Sequence, residues 1–437
     1  MAKMSGKAAV AASIPVVMLT GQARRAHVRA VLREDHAGRI ANQSMAANAK
    51  FDKLAGSLFS FFRGAALLFY RDMAGADAGM PTVLALGDVH PGNFGVMPNR
   101  DNVPIFAVND FDEACYAPFT LDLKRGAVGF MLAAEEQGQS RAAGRRIVKH
   151  FFKGYLAAVA RYAKGDAEAA HEIRADNCPK VLKDLFDGLA TSRADWLASE
   201  YLNEAKRGFR ANVDLAPISS RRDAFQEIVD RLIEANDITP PGRAGDMRVK
   251  DVAIRHGQGT ASLGLQRYYV MLEGPAGDGT DDLILELKRA RETALKGHIP
   301  PNDFDAGQAG ERIAHAQAVH IVNGDVFFGA VEIDSQSYVS RERAPCLAAM
   351  DLEHLSAKGW RRFAKVCGGA LALAHARSDD AGLVDDNVEQ RILDAVGGKA
   401  VFLDDLLHFA DEAVERLRRD HAWFQRDHGL GAFATLD

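Results

Sequence analysis

The sequence predicts an α+β fold in which a mostly helical body carries a small antiparallel strand lobe. Three observations point there. Apolar residues recur at helical spacing over 42–75 and 142–165. Short apolar runs punctuated by Pro, Gly, Asn and Asp fill 81–110 and most of 265–343. The chain then returns to helical period over 346–437. At 437 residues it is also too long for one compact core, so two or three subdomains are expected.

Each element follows from a local pattern. In "FDKLAGSLFSFFRGAALLFYRDM", Leu54, Leu58, Phe61, Phe62, Ala65, Leu68 and Phe69 fall on a helical face. "PTVLALGD" reads as a short buried strand running into a loop. "FGVM" and "VPIFAVND" read as two strands joined by a turn carrying Pro98, Asn99, Asp101 and Asn102. Over 142–165, Ile147, Phe151, Leu156 and Val159 form one apolar stripe. Pro and Gly cluster in "DITPPGRAGD", 237–246, which reads as a linker. Beyond it, "LQRYYVMLEG" and "LILELKRA" read as one hairpin, and "DVFFGAVEID" with "SYVSRER" as another. No internal repeat or low-complexity tract interrupts the chain.

Composition narrows the function classes. A formal net charge of −5 argues against nucleic acid as a main partner, since such proteins usually carry a basic surplus. Cys115, Cys178, Cys346 and Cys367 are far apart and form no CxxC pair, which suits neither a zinc cage nor a disulfide scaffold. No apolar run reaches membrane-spanning length. The first residues, "MAKMSGKAAVAASIPVVMLTGQA", loosely imitate an export leader. The cytoplasm is the expected location, because the chemistry below needs a nucleotide supply. The sequence gives no sign of oligomeric state.

Two acidic turns carry the chemistry. "GDVHPGN" sets Asp88, His90 and Asn93 in one turn after an apolar run, and "VNDFDEA" at 108–114 follows a second run. Phosphoryl transfer needs a carboxylate to orient and deprotonate the acceptor, and oxygen ligands for the magnesium that bridges the phosphates. Asp88 is therefore the expected catalytic base, Asn93 and Asp110 the metal ligands, and Asp112 a second acid at the metal turn. His90 is expected to shape the loop. Arg63 in "FFRGAA" suits either a phosphate contact or a bracing ion pair. His375 and Arg377 end an apolar helix, where cations meet its negative end.

"GDVHPGN" with "NDFDEA" resembles the catalytic and metal loops of the aminoglycoside phosphotransferase and choline kinase group in the protein-kinase-like superfamily. "APFTLDLKR" resembles the stretch that follows, and the resemblance implies that Asp122 braces the catalytic loop through backbone hydrogen bonds. "FFRGAA", "GDVHPGNFG", "NDFDEACYAPFTLDLKR", "ASLGLQRYYVMLEG" and "LAHARS" are more closely similar to a bacterial domain-of-unknown-function family, number 2252, held to be kinase-like. The resemblance implies a two-lobe kinase-like fold using ATP and Mg2+ on a small-molecule hydroxyl or amine. It names no acceptor.

Kinase-like enzymes place their strand lobe before the catalytic loop, but the residues ahead of Asp88 read as helical. The lobe is expected at 247–345 instead, which makes the fold circularly permuted. Residues 1–80 would then be an N-terminal helical segment, 81–236 the catalytic and metal loops of the large lobe, and 346–437 its closing helices. Gly257, Gly259 and Gly264 form the expected phosphate turn, Lys288 the phosphate-binding cation, and Glu311 the acid that positions it. A plain Gly-rich hairpin with a solvated Lys288 and a surface Glu311 is the bland alternative.

Three other functions share these residues. Nucleotidyl transfer could use the same lobes. A catalytically inactive, nucleotide-binding pseudokinase would keep the fold, but it has no chemical need for Asp88, Asn93 and Asp110 together. The G-D-x-H string also opens metallophosphoesterase sites, yet the sequence lacks the G-N-H turn those enzymes need.

Overall fold

The computed structural model describes residues 15–41, 45–165, 167–189, 191–256, 265–300, 307–379, 384 and 387–434. Helices α1 (Gly21–Asp35), α2 (Ala37–Ala41), α3 (Met45–Gly56), α4 (Leu58–Gly64) and α5 (Ala66–Asp72) lead into β1 (Thr82–Ala85). The hairpin β2 (Phe94–Pro98) and β3 (Pro104–Val108) precedes β4 (Cys115–Pro118), α6 (Phe119–Glu136) and α7 (Arg141–Tyr162). Next come α8 (Lys183–Asp187), α9 (Arg193–Glu200), β5 (Leu215–Pro217), α10 (Arg222–Ala235), β6 (Val249–Arg255), β7 (Arg267–Leu272) and β8 (Leu283–Arg289). The chain closes with α11 (Ala309–His320), β9 (Gly329–Ile333), β10 (Gln336–Arg343), β11 (Ala348–Ala349), α12 (Ala357–Ala376), α13 (Val388–Val396) and α14 (Lys399–Gly429).

The result is a mixed α+β architecture with antiparallel sheets. A six-stranded sheet has the order β5-β6-β7-β8-β10-β9, while β1-β4 and β11-β2-β3 are smaller. Both expected hairpins pair in antiparallel register, β7 with β8 and β9 with β10. The β2–β3 turn is fixed by Asn99, whose Oδ1 accepts from the Asp101 and Val103 amides at 3.0 and 2.9 Å. The long helical stretch after residue 42 is segmented because Ser57 caps α4, its hydroxyl accepting from the Ser60 amide. No helix among the described residues is long and apolar enough to cross a membrane.

The domain boundary lies elsewhere than the Pro/Gly cluster suggests. Ile238, Ala244 and Met247 pack in one apolar core with Phe225 and Leu232 of α10 and with Tyr268, Val270 and Leu285 of the large sheet. The 237–246 stretch thus joins α10 to β6 inside a single core, as a turn does, and is not a linker. The strand body begins at β5, ahead of the expected residue 247. Conversely α11, expected wholly within the strand lobe, lends Ile313 and Ala316 to the large helical core. The other face of the sheet is covered by Leu197 of α9 with Tyr201, Leu202 and Phe209. Most of the leader-like stretch, residues 1–14, lies outside the described residues.

In the helical body, α7 and α12 cross at unusually close range. A Cβ on Gly154 would meet the Lys365 carbonyl oxygen at 1.9 Å, and one on Gly368 the Phe151 carbonyl oxygen at 2.0 Å. Only glycine permits that approach without moving the helices apart. Gly368→Ala should therefore destabilise the fold by about 1–3 kcal/mol, seen as a lower urea midpoint; an unchanged midpoint would refute the tight crossing.

Candidate active site

The loop after β1 is built around one buried acid. Asp122, in the first turn of α6, has no solvent exposure. Its Oδ2 accepts from the Leu86 amide at 2.7 Å and its Oδ1 from the Gly87 amide at 2.9 Å. His375 of α12 approaches Oδ2 with Nε2 at 3.0 Å, and the Tyr155 hydroxyl of α7 meets His375 Nδ1 at 2.8 Å. Burial raises the Tyr155 phenol well above its ordinary range, so it stays protonated and donates to Nδ1. The imidazole proton then sits on Nε2 and points to the carboxylate. Gly87 has φ +74°, and a Cβ there would come within 2.3 Å of the Glu113 carbonyl oxygen. The two acidic turns touch through that glycine.

Asp88 emerges from this loop into a cationic clamp. Arg125, three residues after Asp122 and fully buried, donates from Nε to Asp88 Oδ1 at 2.8 Å, with a terminal nitrogen at 2.7 Å from the same oxygen. Its guanidinium carbon lies 4.2 Å from the centroid of Phe62. Burial opposes ionisation of Asp88, but the Arg125 charge, with hydrogen bonding from His90 and Arg125, outweighs it and holds the carboxyl well below the usual range. His90 Nε2 is 3.6 Å from Asp88 Oδ2. Both His90 ring nitrogens face N–H donors: Arg63 Nε at 3.0 Å from Nε2, and the Gly92 amide at 3.1 Å from Nδ1. Burial and Arg63 push this imidazole down to about 4, so it is neutral near pH 7. A neutral imidazole accepts at one nitrogen only, so it takes one of these two hydrogen bonds; Arg63 packs against His90, and no carboxylate pairs with Arg63 among the described residues. Asn93 donates from Nδ2 to the Asp88 carbonyl at 2.7 Å, closing the loop on itself.

The second acidic turn faces the large sheet. Lys288 Nζ on β8 lies 2.5 Å from Asp112 Oδ2 and 3.8 Å from Asp110 Oδ1. Burial raises Asp112, but Lys288 outweighs it and the net shift is downward. For Asp110, burial and the neighbouring Asp112 and Asp88 outweigh Lys288, and the net shift is upward. Behind the turn, Arg312 of α11 donates to the carbonyl oxygens of Asp112 (2.7 Å), Ala114 and Arg291 (2.9 Å). Glu113 accepts from Arg291 and from the Ala294 amide, each at 2.6 Å. Phe111 stacks on His320 of α11, ring centroids 5.9 Å apart.

Beside Lys288 on the same strand face is Glu286, fully buried. Arg267 of β7 reaches it at 3.1 Å, and Arg341 and Arg343 of β10 at 3.2 and 3.9 Å. These cations drive the Glu286 carboxyl far below its ordinary range despite burial. The space enclosed between this face and the acidic turn is small, about 20 Å3.

The structure therefore joins Asp110, Asp112 and Lys288, and it links Asp88, His90, Asn93, Asp122 and Arg63 in one loop network. It does not join Glu311 to Lys288. Glu311 accepts from the Gln308 amide at 3.1 Å in a capping box that starts α11, while Ile313 and Gln317 face the acidic turn. A carboxylate at that helical position satisfies its own helix's N-terminus before anything else. Gly257, Gly259 and Gly264 lie outside the described residues; the strands on either side of them, β6 and β7, pair in antiparallel register. Arg125, Glu286, Arg312 and the His375 contact were missed in the sequence. Helical i, i+3 spacing from Asp122 and strand i, i−2 spacing from Lys288 were signals for the first two.

A family model described as "uncharacterized protein conserved in bacteria (DUF2252)" matches residues 42–427. The chain belongs to that family. The DUF2252 match spans both acidic turns, the whole large sheet and α12, so every residue of the site described here lies within it. No curated protein and no solved structure matches the chain.

Among the described residues, no three His, Cys, Asp or Glu side chains are grouped to hold a metal ion. Lys288 instead supplies the positive charge between Asp110 and Asp112. The oxygens at the turn, with the Asn93 amide oxygen, are nonetheless the hard donors that magnesium takes. The upward shift of Asp110 comes first from burial and then from the neighbouring Asp112 and Asp88 carboxylates.

Two buried neutral histidines contribute to the acid limb of stability. His90 is held at about 4, and burial with the nearby His375 lowers His320 to about 3. The unfolded chain binds these protons from about pH 6.5 downward, so stability is lost as pH falls from there towards pH 4. His320→Phe should make that decline shallower in pH-dependent urea unfolding. An equally steep decline would show that His320 is not buried and neutral. Asp122→Asn leaves the Leu86 and Gly87 amides with a poorer acceptor and should cost about 3–5 kcal/mol, read as a lowered midpoint in the same assay.

Proposed function

We propose that this DUF2252 protein is an ATP- and Mg2+-dependent phosphotransferase of the protein-kinase-like superfamily. It would act on a hydroxyl or amine of a small molecule. The observation that carries this reading is the contact of Lys288 with Asp110 and Asp112. A sheet lysine, an acidic hairpin turn and an Asp-to-Asn loop are the three parts that phosphoryl transfer asks of a protein.

The roles follow from the surroundings of each group. Asp110 and Asp112, with Asn93 through its amide oxygen, would hold magnesium, which neutralises phosphate charge when bound. Lys288 would exchange its carboxylate partners for phosphate oxygens, and Arg341 lies close enough on the neighbouring strand to add charge. Asp88 is fixed by Arg125 through Oδ1, leaving Oδ2 to accept a hydrogen bond from an acceptor hydroxyl. Its depressed pKa makes it an orienting group first and a proton acceptor once the hydroxyl has become acidic in the transition state. The strand body following the catalytic loop in sequence supports a circular permutation. A cytoplasmic location follows from the need for ATP.

A pseudokinase is the second reading, favoured by the small enclosed space and by the Lys288–Asp112 pair that occupies it. Magnesium with ATP should raise the melting temperature, by about 2.7 kcal/mol of stabilisation at a hundredfold excess over Kd. A flat response would remove both readings. Asp88→Asn should abolish ATP turnover and keep that stabilisation, whereas turnover that survives the substitution would exclude Asp88 from catalysis. Binding without turnover for any acceptor would select the pseudokinase.

A further inference from the structure

A second cavity, of about 550 Å3, lies between α7, α12 and the segment 171–181. It shares no lining residue with the site at Asp88 and Asp110. The volume falls in the range of small-molecule sites.

Its wall is unusual in charge. Arg161 of α7, Arg362 and Lys365 of α12, and Lys180 line it, and no Asp or Glu does. Many arginines elsewhere find carboxylates, as Arg24, Arg125, Arg141, Arg145 and Arg291 do. Among the described residues none of these four cations has a carboxylate within ion-pair distance. Four like charges around one concavity repel one another, so an anion entering it would be favoured on charge grounds alone.

Two features make this more than a basic surface. Three of the four cations, Arg161, Arg362 and Lys365, stand on α7 and α12, whose spacing is fixed by the Gly154–Lys365 and Gly368–Phe151 contacts, so the frame that carries them is rigid. At the inner wall, Tyr162 and His171 form a donor with a defined direction. The Tyr162 hydroxyl is 2.6 Å from His171 Nδ1. Burial pushes the phenol up to about 12, while burial together with Arg161 and Arg377 lowers the imidazole. The neutral phenol therefore donates to Nδ1, and the imidazole proton is on Nε2. Ile173, Val181 and Val366 supply an apolar floor.

We propose that this cavity binds a small polyanion with an apolar body, either an organic phosphate or a polycarboxylate. Arg161, Lys180, Arg362 and Lys365 hold its charge, and Ile173, Val181 and Val366 take its apolar part. A concave, partly apolar wall of this size favours a small molecule over a nucleic-acid backbone. The proposal does not depend on the phosphotransfer reading.

Isothermal titration of the full chain with inorganic pyrophosphate, and separately with citrate, tests it. Saturable binding is expected, weakening with salt. The double variant Arg362→Gln/Lys365→Gln should lose at least tenfold in affinity, and Arg161→Glu should do the same from the opposite wall. Because pyrophosphate could also meet Lys288 at the other site, the titrations are repeated in the Lys288→Met background, where saturable binding should persist and the wall variants should still lose affinity. Tighter binding of pyrophosphate than of citrate would identify a phosphoryl ligand, and the reverse a polycarboxylate. The proposal is overturned by absence of saturable binding, by unchanged affinity in the wall variants, or by loss in Lys288→Met alone. A single-stranded oligonucleotide that outcompetes pyrophosphate would overturn it too.

Discussion

Asp122 is a carboxylate with no access to water, and the chain around it is arranged to make that tolerable. An ionised group buried without partners would cost several kcal/mol or give up its charge. Here two amides of the Asp88 loop and the His375 imidazole surround it, and Tyr155 fixes the imidazole in turn. The start of α6, the end of β1, α7 and α12 are therefore tied to one point. The direction in which Asp88 leaves the loop is a consequence of that constraint, as is the close passage of Gly87 over Glu113.

Charge is organised in two tiers around the same centre. The inner tier is paired within itself: Arg125 with Asp88, Arg312 with the carbonyls of the acidic turn, and Glu286 with three arginines. The outer tier, Lys288 with Asp110 and Asp112, is a contact between two separate bodies, the large sheet and the hairpin turn. Only the outer tier can be exchanged without leaving a buried charge alone. A ligand that competes for Lys288 would therefore alter the relation between sheet and turn while the inner tier holds its shape.

The capping box at Glu311 illustrates how local and tertiary demands compete for one residue. Its carboxylate sits in the first turn of α11, where the unpaired amides of the helix are the nearest donors. Lys288 finds its partners across the cleft instead. The Pro- and Gly-rich turn at 237–246 is a similar case. Such composition marks a change of direction, but whether the change falls between domains or inside one depends on what Ile238 and Met247 pack against.

The sequence by itself determined the hairpins, through period-two apolar runs and the Asn99 turn, and the helical stretches, through their stripes and the serine caps. It also set Asp88 and Asn93 in one turn, and Asp110 and Asp112 in another, because each pair is separated by only a few bonds. Only the tertiary structure decided which groups answer those charges. His375 meets Asp122 across 253 positions of chain, and Lys288 meets Asp112 from a different sheet. Arg125 could have been placed on the face of Asp122 by its helical spacing, but not against Asp88. Local patterns fix what a residue can present, whereas the partner of a buried charge is chosen by the packing of distant segments, which no short-range periodicity encodes.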